Sequence, residues 1–129
     1  MKELSRLEEE VMSLIWDLGE CSSAEVIEAF RSNRDLADTT IRTVISNLRK
    51  KQYIELVPSI DRGHRFKPCV DREGVAGRSL SRVVSTLFSG SSQMAIMHLI
   101  KEGRLNDEEL DEIRRILNQD PQDKKNRND

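Results

Sequence analysis

Residues 38–51 read DTTIRTVISNLRKK, and the two faces that this stretch makes as a helix decide the fold. Ile41, Val44, Ile45 and Leu48 recur at i, i+3, i+4 and i+7, a narrow apolar stripe suited to packing on a core. Thr39, Thr40, Arg42, Thr43, Ser46, Asn47, Arg49 and Lys50 cover the remainder, with no carboxylate after Asp38. Hydroxyls, an amide and cations are the groups that hydrogen-bond to base edges and phosphates in a major groove. The alternative is an ordinary solvated face, but surface helices usually mix both signs of charge.

On the N-terminal side, residues 4–18 read as a first helix. Ser5 caps it, Glu8 completes a capping box, Leu7, Val11, Leu14, Ile15 and Leu18 form its stripe, and Gly19 ends it. Cys21 falls in a short extended connection. Ser22 and Glu25 make a second capping box, opening a helix to Phe30 with Val26, Ile27 and Phe30 inward. On the C-terminal side the period changes. Residues 53–57 and 65–70 are β-prone, separated by Pro58, Asp61 and Gly63 as turn formers. Three helices followed by a hairpin is the order of a winged helix-turn-helix, with the third helix for recognition and the hairpin as the wing. Arg62, His64 and Arg65 are expected at the wing tip, where cations would meet phosphate or the minor groove.

Charge is distributed to match. The net charge of the 129 residues is −2, but residues 1–37 hold four Lys/Arg against nine Asp/Glu, and residues 38–70 hold seven against three. The cations therefore cluster where a groove-facing element would sit. Past residue 70 a different unit begins. Leu80, Val83, Val84, Leu87 and Phe88 form one helical stripe, Met94, Met97 and Ile100 a second, and Leu110, Ile113 and Leu117 a third. Short helices cannot bury such stripes alone, so pairing with a second chain is expected. The expected architecture is mainly α with a small β-hairpin. Residues 1–70 would form a winged helix-turn-helix DNA-binding domain, residues 71–118 a three-helix dimerisation domain, and residues 119–129 a disordered tail.

Other classes find little support. No Gly-rich phosphate loop, nucleophile elbow or metal-ligand cluster occurs, so neither enzymatic activity nor a cofactor is expected. His64 and His98 stand alone, and Cys21 and Cys69 make no disulfide framework. No apolar run is long enough for a membrane span and no signal-peptide core opens the chain, which points to the cytoplasm and against membrane insertion. A winged-helix protein–protein module is the alternative. It would favour a neutral or acidic third helix, and this one is cationic.

Taken in a row, these residues resemble the penicillinase and methicillin-resistance repressors and their copper-responsive relatives. Leu4, Ser5, Glu8, Val11, Met12, Ile15 and Trp16 match the family's opening pattern. Thr40, Ile41, Arg42 and Thr43 match its second motif, which continues to Leu48, Lys50 and Lys51. Gly63, Arg65 and Phe66 match the wing pattern loosely, with His64 where an arginine usually sits. Leu87, Phe88 and Gly90, then Leu105, Asp107, Glu109 and Leu110, match the later segments. The resemblance implies a homodimeric repressor on a dyad-symmetric double-stranded DNA operator, held together by the C-terminal helices. It also implies, for the penicillin-responsive members, a membrane metalloprotease sensor and release by proteolysis in the dimerisation domain. The family's scissile Asn-Phe aligns with His98 and Leu99 here. The paired C-x-C metal motifs of the copper-responsive members do not follow Cys69.

Overall fold

A computed structural model describes residues 2–33, 35–58 and 64–119 of the chain. Arg62, with the turn formers Asp61 and Gly63, and the tail beyond Gln119 lie outside the described residues. The elements run α1 (Arg6–Leu18), β1 (Cys21–Ser22), α2 (Ser23–Phe30), α3 (Asp38–Lys50), β2 (Ile54–Val57), β3 (Arg65–Pro68), α4 (Arg72–Leu87), α5 (Ser92–Lys101) and α6 (Asp107–Leu117). The chain divides into two compact units, Met1–Leu80 and Ser81–Asp129, and the division falls inside α4.

The first unit is built on the apolar stripe of α3. Ile41, Val44, Ile45 and Leu48 are all buried, together with Val11, Met12 and Ile15 of α1 and Val26, Ile27 and Phe30 of α2. Tyr53, Ile54 and Phe66 close the core from the sheet side. Each such burial stabilises by about 1.5–3 kcal/mol. Val75 of α4 joins this core too, so the first unit extends past Val70. The inward face of α1 differs from the expected one. Met12 is fully buried and Leu18 is exposed, because the packed row is 8, 11, 12, 15 and the chain turns away at Gly19, whose φ is +75°.

The sheet has three strands in the order β1-β3-β2, all antiparallel. Leu56 lies opposite Phe66, and Cys21 lies opposite Phe66 on the other side. The extended connection at Cys21 is thus a strand in its own right. Two residues are too few to show alternation, which is why sequence periodicity passes over it. Trp16 is a packing platform. Its indole N–H donates to the Val70 carbonyl at 3.1 Å, and the Arg72 guanidinium lies over its ring at 5.5 Å. Arg72 also donates to Asp17 Oδ1 at 2.7 Å, so the start of α4 is fastened to α1.

One carboxylate belongs to the packed face. Glu8 is buried, completes the Ser5 capping box, and accepts a hydrogen bond from Lys51 Nζ at 2.7 Å. Burial alone would push its pKa up, but the Lys51 ammonium and the Ser5 N–H outweigh that and hold it below the usual carboxylate range. A lowered folded pKa stabilises above the unfolded carboxylate range and is lost as the pH falls through the folded value. Glu8→Gln leaves Lys51 half-buried without its counter-charge and is expected to cost about 3 kcal/mol at neutral pH. Urea denaturation should show this deficit shrinking as the pH drops below 4.5, the ordinary value for the group.

In the second unit, Ser91 caps α5 by accepting from the Met94 N–H at 3.1 Å. Asn106 and Glu109 form a capping box at α6. Neither α5 nor α6 contains a buried residue. Apolar side chains remain open to solvent: Leu87 at 76%, Leu117 at 63% and Met94 at 59%, with Ile96, Met97, Leu99, Ile100 and Ile116 also exposed. Val84, Phe88, Leu110 and Ile113 are half-buried. Among the described residues no single helix is long and apolar enough to cross a membrane.

Candidate nucleic-acid interface

With its stripe buried, α3 presents the opposite face outward. Thr39, Arg42, Thr43, Ser46, Arg49 and Lys50 are exposed, and Thr40 and Asn47 are half-buried at its edges. Arg42, Ser46 and Arg49 are spaced i, i+4, i+7 and line one groove with His64 at the wing and Ser23 at the start of α2. Ile45, Ile54, Leu56 and Phe66 complete its lining. The fold therefore brings together a helix face, a wing residue and a helix N-terminus that are distant in sequence. Arg49 stands on the same exposed face as Arg42 and lines the groove with it.

The cations of residues 38–70 divide into two sets. Lys51 is committed to Glu8, and Lys67 lies 3.7 Å from Glu55 across the hairpin. Among the described residues, Arg42, Arg49 and Lys50 make no ion pair. Their charge is available to a ligand, whereas that of Lys51 is spent on the fold. Thr43 is partly committed as well, its hydroxyl donating to the Thr39 carbonyl at 2.9 Å and keeping only acceptor capacity.

Arg65 departs from its expected place at the wing tip. It lies within β3, opposite Ser22 on one side and Val57 on the other. Its Nη1 donates to Glu25 Oε1 at 2.8 Å, its Nη2 to the Glu20 carbonyl at 3.3 Å, and its Nε lies 3.5 Å from Glu20 Oε1. The guanidinium beside Glu25 holds that carboxyl below its ordinary range, helped by Ser22, and Glu25 in turn raises Arg65. Arg65 thus sews the wing to Glu20 ahead of β1 and to Glu25 of α2, partners that sequence spacing does not reveal. Cys21 sits beneath this junction. Burial, with Glu25 nearby, pushes its thiol up to about 11, so it behaves as a small core residue and not as a nucleophile.

The geometry defines a winged helix-turn-helix, and the comparisons with known proteins place it more narrowly. The penicillinase repressor family model matches residues 4–119, and the chain belongs to that family. A transcriptional regulator BlaI from Mycobacterium tuberculosis is 37% identical over 116 residues, covering 88% of this chain and 82% of that protein. A penicillinase repressor from Staphylococcus aureus is 27% identical, covering 90% and 91%. A methicillin resistance regulatory protein MecI from Mammaliicoccus sciuri is 27% identical, covering 90% and 94%. These relatives are named as regulators and not as enzymes. Among solved structures, the oxidised form of MarR from E. coli aligns with a TM-score of 0.51 at 14% identity, over 88% of this chain and 73% of that one. A MarR mutant complexed with operator DNA aligns at 0.50 and 16% identity, over the same shares. At such identity the likeness concerns the fold.

Arg65→Gln is expected to loosen the wing without unfolding the unit. Amide hydrogen exchange should accelerate in the β1–β3 ladder while α1 stays protected. Unchanged exchange at Ser22 and Phe66 would contradict the assignment of Arg65 to the junction.

Proposed function

We propose that this chain is a homodimeric, sequence-specific transcriptional repressor that binds a dyad-symmetric duplex operator through α3 and the wing. The observation that carries the reading is the row Arg42, Ser46 and Arg49, whose arginines make no ion pair among the described residues, on a helix whose other face is packed. The names of its relatives and the operator complex of a protein with the same fold support it. Thr39, Thr40, Arg42, Thr43, Ser46, Asn47 and Arg49 would address the major groove. Lys50 would address phosphate, and His64 the flank beside the wing.

Dimerisation is assigned to Leu80 at the end of the first unit and, in the second unit, to Val83, Val84, Leu87 and Phe88, Met94, Met97 and Ile100, and Leu110, Ile113 and Leu117. The support is the apolar surface left open on α4, α5 and α6, which would be an aggregation hazard in a monomer. A two-fold dimer covers it and presents two α3 helices to half-sites about one DNA turn apart. Release would follow from proteolysis in this unit, driven by a membrane metalloprotease sensor. The His98–Leu99 bond lies inside α5, where the His98 carbonyl accepts from the Glu102 N–H at 3.1 Å and His98 Nε2 lies 3.1 Å from Glu102 Oε1. Cleavage there requires local unwinding of α5 before a protease can seat the segment.

Arg42→Ala should cost about 1–3 kcal/mol on the specific site and relax discrimination at the base it reads. A gel-shift titration with unchanged operator affinity would remove α3 from its assigned role. A fragment ending at Leu80 keeps Val75 and should be a folded monomer with half-site affinity. A fragment ending at Val70 loses Val75 and should be less stable by about 1.5–3 kcal/mol. Light scattering decides between outcomes: a dimeric Leu80 fragment, or a monomeric full chain at micromolar concentration, would sink the dimer assignment.

A further inference from the structure

The segment preceding α1 is fastened to the far end of α3. The Tyr53 hydroxyl donates to the Lys2 carbonyl at 2.6 Å, and Lys51 Nζ donates to the Glu3 carbonyl at 2.8 Å. These bonds join residues about fifty positions apart in sequence and hold two successive carbonyls of the arm. Tyr53 is buried, so its ring is a fixed post. The consequence is a shallow concavity lined by Lys2, Lys50, Lys51 and Gln52. Lys51 is neutralised there by Glu8, while Lys2 and Lys50 are exposed. The turn that follows α3 is built tightly enough to hold this arrangement. Gln52 takes φ +67°, a conformation that side-chain-bearing residues seldom adopt, and the Tyr53 N–H closes back onto the Leu48 carbonyl at 3.0 Å.

We propose that the arm delivers Lys2 to a phosphate-binding patch shared with Lys50, and that this patch grips the duplex backbone beyond the bases addressed by Arg42. The proposal rests on the DNA-binding reading and extends it to an element of the most acidic third of the chain. Lys50 follows Arg42 by eight residues, about 12 Å along the helix axis, so the patch meets a separate stretch of backbone from the groove-lining row. An ammonium on a flexible stem suits a phosphate as a point charge without fixing sequence. The tether matters because an arm left loose would lose its ordering entropy on binding. Here Tyr53 and Lys51 have already placed it.

The test uses the full chain with its N-terminus untagged and a mixed-sequence DNA duplex, titrated by fluorescence anisotropy over a range of salt. Lys2→Gln should flatten the dependence of log affinity on log salt by about one for each protomer on the duplex, as Lys50→Gln should. Tyr53→Phe keeps every charge and removes the hydroxyl that holds the Lys2 carbonyl, leaving Lys51 on that of Glu3. In that background Lys2→Gln should alter the slope less than it does in the unaltered chain. A Lys2→Gln slope equal to that of the unaltered chain, with Lys50→Gln still flattening it, overturns the patch alone. An equal effect of Lys2→Gln in both backgrounds overturns the role of Tyr53 in placing Lys2. Absence of salt-dependent binding by the unaltered chain overturns the DNA-binding reading and the patch with it.

Discussion

A helix can offer one face to a ligand only if its other face is held without slack. In this chain that constraint falls on Ile41, Val44, Ile45 and Leu48. All four are buried against α1, α2 and the sheet, so α3 has no rotational freedom about its axis and Arg42, Ser46 and Arg49 are fixed outward. The same core explains the placement of the wing. Phe66 and Ile54 enter it from β3 and β2, which seats His64 beside the outward row. Loss of one buried aliphatic side chain here would cost about 2–5 kcal/mol and leave the row's direction undefined.

Charge is used twice in the first unit, with different purposes. Lys51 and Arg65 are internal fasteners, the first joining α3 to α1 and the preceding arm, the second joining the wing to α2. Among the described residues, Arg42, Arg49 and Lys50 have no carboxylate partner. A count of cations over residues 38–70 cannot separate the two sets, because the partners Glu8, Glu20 and Glu25 lie far away in sequence. This is why Arg65 reads from sequence as a tip residue and proves to be a junction residue.

The helices were legible from their periods, and α1 and α2 also from their caps. Ser5 with Glu8 caps α1 as expected, Ser22 caps α2, and the α3 stripe is buried at all four positions. The features that sequence does not reveal are short or depend on long-range contact. The two residues of β1 have no measurable period, and Met12 replaces Leu18 on the packed face of α1 only because the chain leaves the core at Gly19. Val75 reads as part of the second unit by position along the chain, yet it packs into the first. Among the residues of the candidate interface, Arg42 and Ser46 were visible from spacing. The contribution of Ser23 to the same groove was not, since only the fold brings the start of α2 alongside α3.

The central claim is that the outward row of α3, presented twice by a dimer, reads duplex sequence. Selection of bound duplexes from a random pool by the full-length chain tests it most directly. The expected result is an enriched, dyad-symmetric consensus whose half-sites are centred roughly 34–36 Å apart along the duplex, and whose information at one position in each half-site disappears when Arg42→Ala is used for the selection. A pool that shows no enrichment, or a consensus without symmetry that Arg42→Ala leaves intact, would contradict it.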